Sequence, residues 1–388
     1  MKPIVFTHLN PDLFQYKASI ALRKKGCKTI AVCLKKPNSE ISSAFDKVIS
    51  LKLKNLKPKT LLFQLLFKPK TVLSFFYNLF IINPEVAICQ APPHYLSSIF
   101  ILFFKRKCKA IYFPYDMIST RYKKPEKYNR KIEIIGEKSA FKNCDAIICK
   151  TALEEFDLLP EHLKKYIKDK PKLIFHVYPL KELFTSKKEK LSKKDKQIHL
   201  VYTGGFRSNT PLYRDIPEYS KEMLNQGFHL HMYCHRDKPT EHDINILTKN
   251  RKYIRQLHLA EKFVPIKDFS DELSKYDYGL DAFFFSNISK KGIISGTSKF
   301  SSYLEAGLPV IMNKEKKLFS DIIKKNKIGI VTEDYNFKDL KEKIKKADYN
   351  KLTKNVLNFR EEYSFENNIN RLISFINSLA KEDINQAI

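Results

Sequence analysis

The chain has 388 residues, of which 43% are hydrophobic and 13% aromatic, with only 10 glycines. This composition excludes a disordered or fibrous protein, and the length predicts two domains of about 150–200 residues each. The formal net charge is +29, and residues 1–200 carry +23 of it against +6 for the remainder. A basic first half is typical of proteins that bind an anionic membrane surface or nucleic acid, although a lysine-rich proteome would raise the same number.

Cysteine usage and hydropathy indicate a cytoplasmic protein. The seven cysteines include no C-x-x-C pair and several lie in apolar runs, so we expect buried thiols, no disulfide framework and no structural zinc. A strand from Ile4 leaves no room for a signal peptide. The longest apolar stretches, 72–82 and 95–104, are shorter than the roughly 20 residues that span a bilayer. We therefore expect a soluble chain, or one that lies peripherally on the inner face of the cytoplasmic membrane.

Strands and helices alternate along the first half of the chain. A short apolar strand, 4–8, precedes a helix that Gly26 ends. Further strands are predicted at 29–34, 45–51, 85–90, 110–115, 146–149 and 173–177, and further helices at 60–82, 95–105 and 127–142. Such alternation predicts a parallel sheet covered by helices on both faces.

The pattern pauses at 186–196, a charged stretch without periodicity that is typical of a linker, and then restarts. The second half predicts strands at 199–203, 229–233, 262–265, 278–284, 309–312 and 328–331, with helices at 216–226, 268–275, 299–306, 340–347 and 365–380. The fold class is therefore α/β with two doubly wound domains, and a ligand is expected at the carboxyl ends of their strands.

The most informative segment is 298–311, with the sequence SKFSSYLEAGLPVI. Thr297 can cap a helix that begins near Lys299, and the free N–H groups of a helix N-terminus favour an anion. Ser295-Gly296 would let the backbone approach a diphosphate closely, and Gly307 ends the predicted helix before a buried strand. A helix–glycine–strand connection of any doubly wound fold has the same pattern, so the residues alone leave both interpretations open.

The string K-F-x-x-Y-L-x-A-G-L-P-V-I in this segment resembles the donor-site signature of bacterial glycosyltransferases of the GT-B fold, among them galactofuranosyl- and glucosyltransferases. Segments 137–148, 198–205 and 359–365 resemble, in order, the end of their acceptor domain, the first strand and glycine loop of their donor domain, and their C-terminal segment. The resemblance implies two facing Rossmann-like domains. Their expected boundaries are 1–186 for the acceptor-binding domain, 187–196 for the linker, 197–364 for the donor-binding domain and 365–388 for a helix that crosses back to the first domain.

The resemblance also implies an activity: transfer of a sugar from a nucleoside-diphosphate sugar, such as a UDP-sugar, to a hydroxyl of a glycan or lipid-linked glycan in bacterial surface polysaccharide or glycoconjugate synthesis. No other cofactor is implied. The residues placed at the diphosphate are Gly204, Gly205, Arg207, Ser298 and Lys299, and those placed at the nucleoside are Tyr233, His235, Val264, Pro265 and Ser302. Tyr233 also suits a core position, and Arg207 a solvated loop.

One departure from the family pattern bears on mechanism. Many relatives carry two glutamates eight positions apart, where this chain has Ile294 and Ser302. The glutamate that contacts the donor ribose in those relatives is missing, and Glu305, one turn further on, is expected to face solvent. The departure favours an inverting enzyme over the large retaining subgroup.

An inverting displacement needs a base within hydrogen-bond reach of the acceptor hydroxyl. Asp116 directly follows an apolar strand of the first domain, so we predict that it is this base. His8, Asp12 and His94 occupy comparable loop positions and are further acceptor-side candidates. Asp12 also suits the first turn of a helix, and His94 a structural role. No general acid is required, because a diphosphate leaves readily once its charge is stabilised.

We expect no metal. The chain has no D-x-D motif, and structural roles are assigned to Asp277 and Asp281. An H-x-x-x-H spacing places two imidazoles on one face of a helix, whereas this segment is predicted to be a strand and its end. The histidine-rich group in question is His229, His231, Cys234 and His235. Arg207, Lys299 and the helix N-terminus are expected to neutralise the diphosphate instead.

Lysines alternate with aromatic residues at 52–70 and around 123–127, yet no nucleic-acid-binding motif accompanies them. We therefore expect an anionic membrane rather than nucleic acid as the partner of the basic half. The apolar segments 62–67 and 99–104 would suit a docking face, and core packing would suit them as well. Two alternative functions remain: a sugar-nucleotide epimerase of the same shape, and a non-catalytic relative that binds polyanions or membranes.

Overall fold

A computed structural model describes residues 2–53, 69–120, 128–185, 188–206, 216–234, 239–249, 251–281, 298–314, 316–333 and 337–386. The chain forms two compact units. The first comprises Met1–His176 and Asn368–Ile388, and the second comprises Val177–Asn367.

The first unit is built on a seven-stranded parallel sheet with the strand order β3-β2-β1-β4-β5-β6-β7. Its strands are nearly all buried, which matches their apolar sequences. The strands are β1 Ile4–His8, β2 Thr29–Cys33, β3 Lys47–Ser50, β4 Val86–Ala91, β5 Lys109–Pro114, β6 Ala146–Cys149 and β7 Lys172–Ile174. The helices are α1 Leu13–Lys24, α2 Ser39–Ser43, α3 Pro69–Ile81, α4 His94–Phe104, α5 Tyr128–Asn143 and α6 Glu161–Lys164, with a 3-10 turn at Leu153–Leu158.

The second unit has a six-stranded parallel sheet with the order β10-β9-β8-β11-β12-β13. The strands are β8 His199–Thr203, β9 His229–Tyr233, β10 Leu257–Leu259, β11 Tyr278–Asp281, β12 Val310–Asn313 and β13 Gly329–Thr332. The helices are α7 Ser192–Asp195, α8 Ile216–Asn225, α9 Glu241–Thr248, α10 Arg251–Ile254, α11 Ile266–Leu273, α12 Ser298–Glu305, α13 Lys317–Asn326, α14 Leu340–Lys346, α15 Tyr349–Glu362 and α16 Phe365–Gln386, with a 3-10 turn at Lys181–Leu183. The predicted pair of doubly wound parallel sheets is confirmed.

Helix α16 begins in the second unit, and most of its length belongs to the first, as the predicted crossover requires. Within the first unit, Arg371 Nη2 donates to the backbone oxygen of Ile174 at 3.1 Å. Leu372, Ile376 and Leu379 on the same helix are buried. The last helix is therefore an integral part of the first unit.

The structure divides the chain earlier than the sequence predicts, after His176 rather than near 186. Residues 177–185 form hydrogen bonds within the second unit: Leu180 N–H donates to Glu305 Oε1 at 2.7 Å, and Thr185 N–H to the Glu305 backbone oxygen at 2.9 Å. The expected linker 187–196 lies in the second unit and contains α7. Its polar side chains have partners in the fold, since Ser192 Oγ donates to Asp277 Oδ1 at 2.5 Å.

One predicted strand was wrong. The edge strand is β10 at Leu257–Leu259, whereas 262–265, predicted as a strand, is the loop that leads into α11. Glu261, Lys262 and Phe263 in that loop are exposed, so the loop has no buried face. Leu257 and Leu259 instead pack against the core on one side of the sheet. The sequence interpretation missed this alternation of apolar and polar residues, Leu257-His258-Leu259, which is typical of a strand.

All seven cysteines are free thiols, as expected, and six of them are buried. Burial raises the pKa of Cys33 and Cys144 to about 12. These thiols are therefore protonated and unreactive near neutral pH. Among the described residues no helix combines the length and the apolar character that crossing a membrane would require.

Tyr303 of α12 lies beneath the centre of the second sheet. Its hydroxyl accepts a hydrogen bond from Thr203 N–H at 3.1 Å and donates one to the backbone oxygen of Leu280 at 3.0 Å. Thr203 is the last residue of β8 and Leu280 the last but one of β11, and the two strands pair through residues 200–201 and 278–279. Gly279 makes room for the ring, because a Cβ there would lie 2.2 Å from Tyr303 Cγ. The hydroxyl thus bridges the two strands near their ends, where a direct backbone hydrogen bond between β8 and β11 would otherwise stand.

Tyr303→Phe should lower the free energy of unfolding by about 1–3 kcal/mol, because a buried N–H and a buried carbonyl lose their shared partner. Chemical denaturation followed by circular dichroism measures the change. Tyr77, which is 67% exposed, provides the control, and Tyr77→Phe should change stability by less than about 0.5 kcal/mol. Equal effects of the two substitutions would contradict the assigned role of the Tyr303 hydroxyl.

Candidate functional site

Gly204 and Lys299, which lie about a hundred residues apart in sequence, are neighbours at the carboxyl end of the second sheet. Gly204 follows β8 with φ +155°, and a Cβ built on it would stand 2.7 Å from Lys299 Cε. Lys299 is the second residue of α12 and is only 8% exposed, with its ammonium 5.3 Å from the centre of the Tyr202 ring. Gly205 accepts a hydrogen bond from the Tyr202 hydroxyl at 3.2 Å. A glycine is needed at 204 because the lysine side chain fills the space that a side chain there would occupy.

A buried carboxylate lies between two lysines at the same edge of the sheet. Asp281 ends β11, and its Oδ1 is 2.9 Å from Lys316 Nζ and 3.9 Å from Lys299 Nζ. The side chains of Asp281 and Lys316 are each 1% exposed, so their ion pair is removed from water. Within the part of the chain that the structure describes, this group holds two ammonium groups and one carboxylate, which is a surplus of positive charge. The structural role predicted for Asp281 is consistent with this ion pair, and Lys316 is a cation that the sequence interpretation missed.

The surplus charge lies where parallel strands place binding residues. Asp281 ends β11, and Lys316 lies between the end of β12 and the start of α13. The carboxyl edge of a doubly wound sheet is the usual location of its ligand. Lys316 could have been found from the sequence by its position, three residues after the end of a buried strand.

Helix α12 is fixed at its C-terminal end by the rest of the unit. Ser301 Oγ donates to the backbone oxygen of Tyr178 at 2.9 Å. Arg360 Nη1 donates to the Glu305 backbone oxygen at 2.9 Å, which places a cation at the helix C-terminus. Gly307, with φ +68°, ends the helix as predicted.

The expectation that Glu305 faces solvent was wrong. The residue is 2% exposed, and its carboxylate accepts the Leu180 N–H at 2.7 Å. The backbone segment that enters the second unit supplies this donor, and a sequence pattern confined to α12 could not reveal it. Glu305 is therefore a structural residue of the helix that carries Lys299.

The two serines predicted on α12 have different environments. Ser298 is the first residue of the helix and is partly exposed. Ser302 is 5% exposed, and its hydroxyl donates to the Ser298 backbone oxygen at 3.3 Å. The segment 282–297, with Ile294, Gly296 and Thr297, lies outside the described residues, as do Arg207 and His235. Their predicted roles stay predictions.

Two of the residues predicted at the nucleoside line one cavity of about 360 Å³. Tyr233, at the end of β9, and Val264, in the loop before α11, both face it, and Pro265 takes the N-cap position of α11. Tyr233 is 7% exposed and its hydroxyl is engaged by Glu272 and by Tyr276, so its ring is part of the wall. Burial and the hydrogen bond to Glu272 raise the pKa of Tyr233 well above its usual value. The cavity brings two candidates together and gives each a fixed position.

Asp116 follows β5 in the first unit and pairs with a cation from the neighbouring strand. Its Oδ1 is 3.3 Å from Nζ of Lys150, the residue that follows β6. Lys150 is 5% exposed and lies 3.8 Å from the centre of the Tyr115 ring, while the Asp116 side chain is 29% exposed. The carboxylate is therefore held by an ion pair on one side and reached by solvent on the other.

His94 supports Asp116 from beneath. The imidazole is 1% exposed, its Nδ1 contacts the Tyr112 hydroxyl at 2.5 Å, and its Nε2 donates to the Asp116 backbone oxygen at 2.9 Å. Both ring nitrogens have protein partners, so the structural role left open for His94 is the one that its contacts support.

His8 is the last residue of β1, the strand next to β4, and Asp12 follows four residues later. Asp12 caps α1, since its Oδ1 accepts the Gln15 N–H at 3.1 Å, and its Oδ2 accepts Gln90 Nε2 at 2.6 Å. His8 is half-buried, and its Nδ1 lies 2.5 Å from the backbone oxygen of Asn10. Asn10 N–H also approaches Nδ1, at 3.4 Å, but the shorter contact is to a carbonyl, which can only accept, so we assign the proton of the neutral ring to Nδ1 and its lone pair to Nε2. The structure therefore makes His8 a second candidate base.

Comparisons with known proteins bear on the fold and on the C-terminal part of the chain. Residues 262–373 match the family model described as "Glucosyltransferase 3-like, C-terminal domain". Sucrose-phosphate synthase from Thermosynechococcus elongatus is 13% identical and superposes with a TM-score of 0.66, covering 98% of this chain and 99% of that one. The structure of Medicago truncatula UGT71G1 complexed with UDP-glucose is 13% identical, with a TM-score of 0.53 and 98% coverage of both chains. No curated protein sequence matches the chain.

A third structure, the S. aureus MnaA–UDP co-structure, is 12% identical, with a TM-score of 0.55 and coverage of 96% of this chain and 95% of that one. At such identities the structures establish the fold. The fold is that of the GT-B glycosyltransferases, with two Rossmann-like domains, and the predicted resemblance is confirmed. More particularly, the matched C-terminal segment contains α12, Lys299 and Lys316, and it supports sugar transfer as the general activity.

Proposed function

We propose that this protein transfers a sugar from a nucleoside-diphosphate sugar, in particular a UDP-sugar, to a hydroxyl of a glycan or lipid-linked glycan acceptor. The reaction proposed is an inverting displacement that needs no divalent metal and no cofactor besides the donor. The observation that carries this proposal is the buried group formed by Gly204, Lys299, Asp281 and Lys316 at the carboxyl edge of the second sheet.

The charge of this group suits a diphosphate. Two ammonium groups against one carboxylate attract an anion, and Gly204 is a point where a backbone can approach a ligand closely. The charge that develops on the departing nucleoside diphosphate is stabilised by cations already in position and shielded from water. Lys299 and Lys316 would supply the positive charge that a divalent ion supplies in other transferases.

The cavity beside Tyr233 and Val264 suits the nucleoside. Its volume of about 360 Å³ is near the lower end of small-molecule sites, as expected for a base rather than a whole nucleotide sugar. Glu272 and Lys275 in its wall offer an acceptor and a donor for a heterocycle. The loop 260–265 supplies backbone groups on the other side.

Lys299→Met should weaken UDP binding about 10- to 100-fold, because a charge-assisted hydrogen bond contributes about 1.5–3 kcal/mol. Isothermal titration with UDP measures the effect, after a thermal-shift screen with UDP-, GDP-, CMP- and dTDP-sugars has identified the donor. Lys317, the exposed first residue of α13, is the matched control, and Lys317→Met should leave binding unchanged.

Stabilisation by none of these nucleotides would contradict the proposed function. Donor turnover without transfer to any added acceptor would favour an epimerase.

The proposed base is Asp116, at the carboxyl edge of the first sheet and accessible to solvent. Asp116→Asn should lower kcat by a factor of about 10²–10⁴, the usual contribution of a general base, and leave donor affinity unchanged. Assays of the initial rate of sugar transfer measure kcat, and calorimetric titration with UDP measures donor affinity. His8→Gln is the companion variant. If Asp116→Asn keeps full turnover and His8→Gln instead lowers kcat by about 10²–10⁴, the base is His8 Nε2 rather than Asp116.

We further propose that the acceptor is presented at an anionic membrane. Helices α3 and α4 expose a group of large apolar side chains, and the rings of Phe80 and Phe103 lie 5.5 Å apart, which joins the two helices. The exposed residues are Leu73, Phe76, Tyr77, Phe80 and Ile81 on α3 and Ile99 and Leu102 on α4. Of the predicted docking segments, 62–67 lies outside the described residues, and 99–104 is exposed only at Ile99 and Leu102.

Positive charge accompanies this apolar surface of α3 and α4. Lys107 Nζ lies 5.3 Å from the centre of the Phe80 ring. A cavity of about 600 Å³ opens beside α3, and the lysines that line it are Lys36, Lys47, Lys52 and Lys70. A basic cavity next to an exposed apolar helix suits an amphiphilic anion, such as a lipid-linked phosphate.

Leu73→Ser/Phe80→Ser should lower partitioning onto vesicles of phosphatidylcholine and phosphatidylglycerol by more than about 100-fold, because the two side chains together contribute about 3–6 kcal/mol of apolar transfer energy. Vesicle flotation measures the bound fraction, which should also fall as salt is raised. Ile254→Ser, a change at a 55% exposed residue of the second unit, is the control. Equal binding by the double variant and the parent would remove the membrane proposal without affecting donor binding.

A further inference from the structure

Four histidines lie together on one face of the second sheet. His199 pairs with His229 at the start of β8 and β9, and His231 pairs with His258 on β10. Side chains two residues apart on a strand point to the same face, so the H-x-H spacing of His229 and His231 places both on the face that carries the other two. The imidazoles of His231 and His258 are stacked with their centres 4.2 Å apart.

The four rings are connected in two pairs. His199 Nδ1 lies 2.8 Å from His231 Nε2, and His229 Nδ1 lies 3.1 Å from His258 Nε2. His199 and His229, the two rings at the amino ends of their strands, thus each have Nδ1 in contact with a second imidazole. Their other nitrogen, Nε2, is then the atom that can bind another group.

A carboxylate completes the group at the amino ends of the strands. Asp195, the last residue of α7, lies 3.0 Å from His199 Nε2. One ligand atom from each of Asp195, His199 and His229 can be chosen so that all three lie within 4.8 Å of one another. A four-coordinate zinc ion has its ligand atoms about 3.3–3.6 Å apart, so side-chain shifts of about 1 Å would close the site.

We propose that Asp195, His199 and His229 form a Zn²⁺ site with a water molecule as the fourth ligand. The imidazole nitrogens and the carboxylate are ligand types that zinc prefers, and the carboxylate offsets part of the ion's charge. The Asp195 side chain is 42% exposed, which provides both an entry path and room for the water. When zinc takes His199 Nε2, the ring proton moves to Nδ1, where His231 Nε2 accepts it.

The surrounding rings suit this site. His231 and His258 are positioning residues, because each would accept the N–H of a ligating imidazole and so fix its tautomer and orientation.

The proposed zinc ligands lie apart from the proposed diphosphate site, whereas the positioning residues His231 and His258 also line the cavity proposed for the nucleoside. His199 and His229 begin their strands, whereas Gly204, Asp281 and Tyr233 end theirs. Zinc at the amino ends would join α7 to β8 and β9, so it would stabilise the second unit and take no part in the sugar transfer. This inference does not depend on the proposed function, since its test measures metal content and stability.

The experiment uses the untagged chain, first freed of metal with EDTA and then supplied with one metal ion at a time, with excess ions removed by gel filtration. After Zn²⁺ we expect one equivalent of bound zinc per chain by mass spectrometry of the metal and a higher Tm than that of the metal-free chain, and after Mg²⁺ no shift in Tm. Co²⁺ should bind with the intense visible absorption of a tetrahedral ion. Less than a tenth of an equivalent of zinc, or octahedral cobalt only, would overturn the proposal.

Variants assign the ligands. His229→Gln and Asp195→Asn should abolish stoichiometric zinc binding, and His258→Gln should weaken it about 10- to 100-fold at unchanged stoichiometry. His242→Gln, at an exposed histidine of α9, should bind zinc like the parent. Asp195 is on the surface, so Asp195→Asn remains informative if His229→Gln fails to fold. Unchanged zinc affinity in Asp195→Asn would contradict the site as assigned.

Discussion

The hydroxyl of Tyr303 joins the two central strands of the second sheet near their carboxyl ends, and the proposed donor-side site depends on it. The group accepts from Thr203 at the end of β8 and donates to Leu280 near the end of β11. Gly204 follows Thr203 directly, and Asp281 follows Leu280 as the last residue of β11, where it pairs with Met312 of β12. Because Tyr303 and Lys299 are one turn apart on α12, the same helix that ties the strands together brings the ammonium to Gly204.

Helix α12 is fixed by groups that are distant in sequence. Glu305 accepts a hydrogen bond from the backbone that enters the second unit, and Arg360 binds the last carbonyls of the helix from α15. The Glu305 carboxylate and Arg360 Nη1 both have partners, which limits the cost of burying charge. The rigidity has a chemical consequence, because a buried cation stabilises a departing diphosphate best when it does not have to move.

The carboxyl edge of the first sheet shows the same construction. Asp116 and Lys150 follow adjacent strands and form an ion pair, while His94 fixes the backbone of Asp116 from below. Of the residues with acceptor-side predictions, Asp116 has an exposed carboxylate and His8 an available Nε2. Asp12 and His94 are engaged in capping and in core contacts. Both sheets therefore place an ion pair at the edge where parallel strands end, and each pair joins residues from neighbouring strands.

The sequence by itself determined the α/β alternation, the two parallel sheets, the glycine that ends α12 and the segment that carries Lys299. These follow from local patterns: apolar runs of strand length, helix periodicity and stop residues. Only the tertiary structure decided that Lys316 joins Lys299 around Asp281, that Glu305 is buried, and that the chain enters its second unit after His176. It also decided that four histidines from three strands meet on one face, a grouping that the H-x-x-x-H spacing did not indicate. The physical reason is common to all four, since each contact joins residues distant in sequence through strand order and helix packing, and a local pattern holds no information on which strands become neighbours.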